Sequence, residues 1–245
     1  MGANILAIQR AVDEGAKLTT IAQSDALDIA VTYTDYTSVA TARAGVMTAM
    51  TWEVNDVEAA DLQNLFDNDS TVNFAAVKDT AANIQALIGD STTGLALDDN
   101  VAKLSGVVVS DNAVLTLTGL QYIDNVGGTG TGLLDIIENA NGDVYHATIT
   151  ELAATDVVAA TADASVDSFT VKDKGAALTT AFGDLIDAGD KLTAVELDVS
   201  DDTDDTITIS LADFTNTDEN AGAVTQDYLD VFDKFTVDAN ITFTV

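Results

Sequence analysis

An internal repeat constrains this chain more than any other feature of its sequence. The clearest copy runs from Lys191-Leu-Thr to Asp201, and related copies begin at Lys17-Leu-Thr and at Lys103-Leu-Ser. The three lysines are 86 and then 88 residues apart, so the repeat is about 87 residues long. Positions 13–19 and 187–193 also share the pattern Asp-x-Gly-x-Lys-Leu-Thr in full. Such a repeat predicts similar structural units in tandem.

Each lysine is followed by a predicted strand, a Ser-Asp turn and a second predicted strand. Apolar and polar residues alternate in the second strands, which cover 27–33, 114–118 and 206–211. Period-two alternation indicates one buried and one wet face, which is typical of antiparallel hairpins. Short helices are predicted at 2–16, 80–88 and 175–186. The fold expected is therefore mainly β with short helices (α+β): tandem repeats of strand pairs in antiparallel sheets, with an open edge available for strand addition.

The repeat pattern also predicts domain boundaries. The tripeptide Val-Lys-Asp ends a predicted strand at Asp79 and again at Asp173. The first copy lacks this strand, because its sequence begins at the following helix. We therefore expect an incomplete N-terminal repeat at 1–54, a second repeat at 55–149 and a third at 150–245.

An incomplete repeat leaves unpaired backbone groups at a sheet edge, and such an edge is a template for another strand. The predicted acceptor lies beside Leu27–Tyr33. The predicted donor is the C-terminal strand, made of Asn240, Ile241, Thr242, Phe243, Thr244 and Val245. The alternative interpretation is that the chain comes from a longer array and the edge is simply short.

The charge of the chain excludes some partners. Nine Lys and Arg residues stand against 41 Asp and Glu residues, which gives a net charge of −32. A nucleic acid would be repelled by such a surface. High salt screens this self-repulsion, and divalent cations relieve it by binding carboxylates. The simpler interpretation is that the charge only confers solubility.

Other compositional features bear on location. Cysteine is absent, so there is neither a disulfide framework nor a thiolate metal site. No apolar run is long enough for a membrane span, and the N-terminus lacks the pattern of a secretory signal peptide. These features predict either a cytoplasmic protein or export by a route that leaves the N-terminus untouched.

Residues Val77-Lys-Asp-Thr-Ala-Ala-Asn-Ile84, with the two strands that follow them, resemble a repeat of very large secreted bacterial adhesins and surface-layer-like proteins. The usual motif of that family reads Val-Ser-Asp-Thr-Ala-Ala-Asn followed by Ile or Leu, and Lys78 departs from it. The resemblance implies an extracellular structural module. It also implies type I secretion, in which an uncleaved signal lies at the C-terminus, and the end at Phe243–Val245 is compatible with that route.

Calcium is the candidate cofactor. Five carboxylates crowd one predicted turn: Asp198, Asp201, Asp202, Asp204 and Asp205. Carboxylates this close repel one another unless they are solvated, protonated or bridged by a cation. A solvated hairpin tip is the alternative, and the pairs at Asp67–Asp69 and Asp98–Asp99 are weaker candidates.

The remaining unusual residues favour structural roles. The segment Gly127–Asp135 resembles one calcium-binding nonapeptide but has Gly132 at the aspartate position, so we expect a flexible loop there. The single histidine, His146, is expected on a wet strand face, and Trp52 is expected to pack in the core or in an interface. No catalytic or cofactor-binding cluster emerges, so no enzymatic activity is predicted.

The function that the sequence favours is an extracellular structural protein that assembles with copies of itself. The assembly would be a filament, a sheet or a surface coat, joined partly by donor strands and bridged by calcium. The alternative is an adhesin-type binding module, part of a larger repeat protein, that grips a cell-surface glycan. A third class, an acidic enzyme from a salt-adapted cell, is disfavoured for want of a catalytic cluster.

Overall fold

The computed structural model describes residues 2–21, 27–89, 96–126, 132–200, 207, 230–231 and 233–236. These residues form two compact units. Unit 1 contains the residues up to 113 together with 125–145, and unit 2 contains 114–124 together with the residues from 146 onward. The chain therefore leaves unit 1, returns to it once, and then re-enters unit 2.

Unit 1 is built on a five-stranded sheet in which all neighbouring strands are parallel. The strands are β1 (Ile29–Thr32), β2 (Trp52–Val57), β3 (Val72–Asp79), β4 (Leu104–Val109) and, after one strand of unit 2, β6 (Ile137–Asn139). They stand in the order β1-β2-β3-β4-β6, so each strand lies beside the next one of this unit along the chain. Its helices are α1 (Gly2–Asp13), α2 (Tyr33–Ser38), α3 (Ala40–Gly45), α4 (Leu62–Asn68), α5 (Ala81–Gln85) and α6 (Ala96–Asp99).

Unit 2 repeats this design. Its strands are β5 (Leu115–Thr118), β7 (Ala147–Leu152), β8 (Val166–Asp173), β9 (Leu192–Leu197) and β10 (Phe235–Thr236). They form a second all-parallel sheet in the order β5-β7-β8-β9-β10. Its helices are α7 (Gly119–Asn125), α8 (Val157–Ala162), α9 (Gly175–Thr180) and α10 (Phe182–Asp187).

The core of each unit follows from the alternation in its strands. Val54, Val77 and Val107 are fully buried in unit 1, and Leu117, Ile149 and Val171 are fully buried in unit 2. The residues that alternate with these in the strands, such as Asn55 and Thr116, are partly or fully exposed to solvent. Tyr36 and Tyr122, which follow β1 and β5, are buried as well.

The predicted antiparallel strand pairs are wrong. The fold is α/β, and the two strands on either side of the Ser110-Asp111 turn, β4 and β5, belong to different sheets. The alternation of apolar and polar residues shows only that one face of a strand is exposed to solvent. It favours antiparallel pairing because parallel sheets are usually buried on both faces. Here β5 alternates between buried and exposed residues within a parallel sheet, so the pattern does not reveal the direction of the partner.

Local chemistry explains why the Ser-Asp turn is a crossing rather than a hairpin. A carboxylate oxygen of Asp111 accepts hydrogen bonds from the backbone N–H of Ala81 and of Ala113. Asn112 adopts a left-handed conformation, with φ of 52°, which asparagine tolerates better than most residues. The turn therefore connects the end of β4 to the start of α5 and directs the chain out of unit 1.

Strand positions were predicted better than strand partners. Strands do follow Lys103 and Lys191, as β4 and β9. Residues 17–21 form no regular structure, so that part of the predicted strand after Lys17 is wrong. Of the predicted strand at 206–211, only Ile207 is described, and it is buried. The two units do not test the predicted division into repeats at 1–54, 55–149 and 150–245, which stays a prediction.

Candidate functional site

The Val-Lys-Asp motif joins neighbouring strands at the carboxyl end of each sheet. In unit 1, one carboxylate oxygen of Asp79 accepts the N–H of Thr80 and the side-chain amide of Asn83, both at 2.8 Å. The other oxygen accepts the N–H of Ala59 at 3.0 Å. Ala59 begins the short turn after β2, so Asp79 connects the end of one strand to the end of the next. We refer to Asp79 and its counterpart Asp173 as the strand-end aspartates.

The same arrangement recurs in unit 2. The Asp173 carboxylate accepts the N–H of Ala154 at 2.9 Å and that of Lys174 at 2.8 Å. In both units the backbone carbonyl of the strand-end aspartate also accepts an N–H from the residue just after the next strand, Ser110 or Asp198. The Val-Lys-Asp motif, which is part of the segment that resembles the adhesin repeat, therefore connects neighbouring parallel strands.

The lysine of each motif lies on the wet face beside a backbone irregularity. Asp56 and Glu151 occupy equivalent positions in β2 and β7, and both have positive φ, 57° and 54°. Lys78 lies 3.8 Å from the Asp56 carboxylate, and Lys172 lies 3.2 Å from that of Glu151. Lys172 also lies 2.9 Å from Glu196. The hydrogen bonds to Glu196 and Glu151 raise the pKa of Lys172.

A second pair of equivalent carboxylates, which the sequence motifs above do not include, accepts hydrogen bonds from the buried tyrosines. Asp69 accepts hydrogen bonds from the Tyr36 hydroxyl and from the backbone and side chain of Thr71. Asp163 accepts the Tyr122 hydroxyl at 3.0 Å and both donors of Ser165. The matched spacing in Asp69-x-x-Val72 and Asp163-x-x-Val166 is the sequence signal that could have revealed this pair.

Unit 1 adds a cation to this arrangement. The Arg43 guanidinium pairs with Asp69 and stacks over the Tyr36 ring, with its central carbon 3.5 Å from the ring centroid. Tyr36 in turn meets Trp52 edge to face. Burial alone would raise the pKa of Asp69, but its hydrogen bonds from Thr71 and Tyr36, together with the Arg43 charge, lower it. Arg43, Trp52 and Asp69 line a cavity of about 250 Å³.

Only part of the predicted calcium site is described. Asp198 is half-buried, and one of its carboxylate oxygens accepts the N–H of Ser200 at 3.0 Å. Hydrogen bonds from the side chain and from the backbone of Ser200 lower the pKa of Asp198. The other four aspartates, Asp201, Asp202, Asp204 and Asp205, lie outside the described residues. Within the described part of the chain, no group of three or more His, Asp or Glu residues is placed to hold a metal.

The weaker calcium candidates have protein partners. Asp67 accepts a hydrogen bond from Gln63, and Asp98 accepts the N–H of Gly89. In the glycine-rich segment, residues 127–131 lie outside the description. Its end is ordered: Gly132 donates to Asp135, and Leu133 and Leu134 are buried, so the expected flexible loop does not extend to these residues.

The remaining candidates lie at separate places. His146, just before β7, is exposed, and its ring nitrogen lies 2.8 Å from the Asp167 carboxylate. Trp52 is 1% exposed, which confirms its predicted core position. The predicted acceptor strand is β1, which pairs with β2 alone among the described strands. The predicted donor, Asn240–Val245, lies outside the described residues.

In the parts of the chain that the structure covers, no helix is both long and apolar enough to cross a bilayer.

Comparison with family models, with curated proteins and with solved structures finds no match to this chain. The resemblance to adhesin and surface-layer repeats therefore depends on the motif residues alone.

Proposed function

We propose that this chain is an extracellular structural protein that assembles with copies of itself into a filament, a sheet or a surface coat, joined partly by strand addition. The observation that supports this best is the route of the chain in unit 1. The edge of β4 is closed by β6, a strand that comes from beyond the first strand and helix of unit 2. This fold thus completes a sheet with a strand from a distant segment, which is the step that assembly by strand addition requires.

The terminal strand is the proposed donor between copies. Residues 240–245 alternate apolar and polar side chains, as an edge strand with one buried face does. The proposed acceptor is the outer edge of β1. Because both sheets of the protein are parallel, the donor would add in the parallel direction.

Deleting Ile241–Val245 should abolish filaments or lattices in negative-stain electron microscopy, because the donor is gone. The same variant should keep the circular dichroism spectrum of the full chain, because the deletion leaves all ten described strands intact. The double variant Thr242→Ser with Thr244→Ser is the matched control, since it keeps the apolar residues of the strand and should still assemble. Assemblies that survive the deletion would exclude this donor.

Calcium is the proposed bridging ion at the aspartate-rich segment 198–205, where carboxylate oxygens match its ligand preference. Added calcium should raise the melting temperature and the yield of assemblies in the same microscopy experiment. A chelator without effect on either would remove calcium from the proposal. We further propose secretion by a route without an N-terminal signal peptide, in keeping with the motif resemblance.

The second candidate is an adhesin-type binding module. The cavity beside Arg43 favours it, because a guanidinium, a carboxylate and an amide around one opening can orient a polar ligand such as a glycan. A chain that stays monomeric in microscopy but is retained on immobilised cell-surface glycan would support this function over assembly.

A further inference from the structure

The segment 125–145 belongs to unit 1 although the segments before and after it belong to unit 2. We call its part 132–145, which contains β6, the strap. The segment before β6 and the end of the strap are anchored in the core of unit 1: Leu133, Leu134, Ile137 and Tyr145 are at most 4% exposed. The strap is therefore needed to complete the core of unit 1.

The strap pairs with β4 over a short register. Val107, Val108 and Val109 lie opposite Ile137, Glu138 and Asn139 in parallel. One further bond runs from the Ala140 N–H to the side chain of Asn112 at 2.8 Å. The residues that accept the strap, Val107–Val109 and Asn112, all lie before Val114, where the chain leaves unit 1.

The connection between the two parts is short. The chain leaves β4 at Val109 and begins β5 at Leu115, and the left-handed Asn112 lies between them. Short hinge loops favour domain swapping, because two copies can exchange equivalent elements and keep every contact except those of the hinge. The strap of any copy fits the β4 edge of any other copy whose own strap has left it, since the residues are identical.

We infer that two copies of this chain exchange straps, so that the β4 edge of each copy is closed by the strap of the other. This inference rests on the proposed function, because it supplies a dimeric building block that the terminal strands then join. Within one chain the strap is held near its edge at an effective concentration on the order of millimolar. Exchange is therefore expected when the protein refolds at about that concentration, as at a crowded cell surface.

A disulfide between β4 and the strap can show whether the strap that pairs with β4 belongs to the same chain or to another copy. The chain has no cysteine, and Val108 and Glu138 are parallel neighbours whose side chains are not buried. Neighbouring strands are about 4.8 Å apart, which lies within the Cα separation that a disulfide accepts. The full-length variant Val108→Cys with Glu138→Cys is refolded from denaturant at millimolar or about a hundredfold lower concentration, then oxidised and run on a non-reducing gel.

The expected result is a covalent dimer after refolding at high concentration, lost on reduction, and a covalent monomer after refolding at low concentration. Covalent monomers at both concentrations would overturn the inference. The control pair is Thr116→Cys with Thr148→Cys, which joins β5 and β7 within unit 2 and should give monomers throughout. Dimers in equal yield from both pairs would indicate random collision and would also overturn it.

A second variant avoids any change to the paired strands. Inserting Gly-Ser-Gly-Ser between Ala113 and Val114 lengthens the hinge and should lower the fraction of dimer severalfold in size-exclusion chromatography after refolding at high concentration. An unchanged dimer fraction contradicts exchange. The two proposals fail separately: filaments with purely intramolecular disulfides overturn strap exchange alone, whereas exchanged dimers that never form larger assemblies overturn the proposed function.

Discussion

At the scale of single residues, four carboxylates connect separate segments of this acidic protein. Asp79, Asp173, Asp69 and Asp163 each accept several hydrogen bonds from groups far apart in sequence. Hydrogen bonds to a charged acceptor are stronger than those to a neutral one. Some of the 41 acidic residues are therefore part of the fold and do not serve solubility alone.

Asp79→Asn should lower the free energy of unfolding by about 1–2 kcal/mol at neutral pH, because an amide cannot accept all of the donors that the carboxylate accepts. Burial alone would raise the pKa of Asp79, but hydrogen bonds from Asn83, Thr80 and Ala59 lower it. Its stabilisation is thus present above the unfolded pKa of about 4 and is lost as the pH falls through the lower folded pKa. Urea denaturation of both proteins at several pH values measures the difference, which should shrink in acid.

The exposed Asp187 supplies the control for this prediction. Asp187→Asn removes the same charge and should change the free energy of unfolding by no more than about 0.5 kcal/mol. Equal effects of the two substitutions would mean that net charge, rather than the hydrogen bonds of Asp79, determines the stability difference.

At the scale of elements, both units repeat the order strand, helix, strand. Each new strand of a unit pairs in parallel with the preceding strand of that unit. The first helix of unit 2 begins unusually close to the next strand. A Cβ at Gly119 would lie 2.7 Å from the carbonyl oxygen of Glu151 and 2.8 Å from the Cα of Leu152. Both are backbone atoms, at the irregular end of β7, so glycine is required at this approach.

Gly119→Ala should therefore destabilise the protein by about 1–3 kcal/mol, the usual cost of overpacking. Gly183→Ala is the matched control, since a Cβ in that helix meets nothing within 4 Å; it should stabilise by about 0.5–1 kcal/mol. Urea midpoints of the two variants should move in opposite directions. A shift of both in the same direction would contradict the close approach at Gly119.

The sequence predicts elements of this fold better than it predicts their neighbours. The alternation in Leu115–Thr118 correctly indicates a strand, but its partner is Ala147–Thr150, beyond an intervening strand of the other unit. The local alternation of apolar and polar residues carries no information about which distant strand pairs with β5. Likewise Val-Lys-Asp stands out as a motif, yet the role of Asp79 depends on the N–H of Ala59, 20 residues away, which only the fold brings near.

At the scale of the whole molecule, self-similarity and charge act against each other. The proposed strand addition and strap exchange favour association with other copies. A net charge of −32 opposes it, because like-charged surfaces repel unless salt or cations screen them. Assembly is therefore expected to depend on protein concentration and on ionic strength together.

Sedimentation velocity of the unmodified protein tests this account most directly. In about 1 M salt, where the screening length is about 3 Å, the 25.4 kDa chain should form progressively larger species as its concentration rises. A single species of monomer mass at every concentration and salt level would contradict the account.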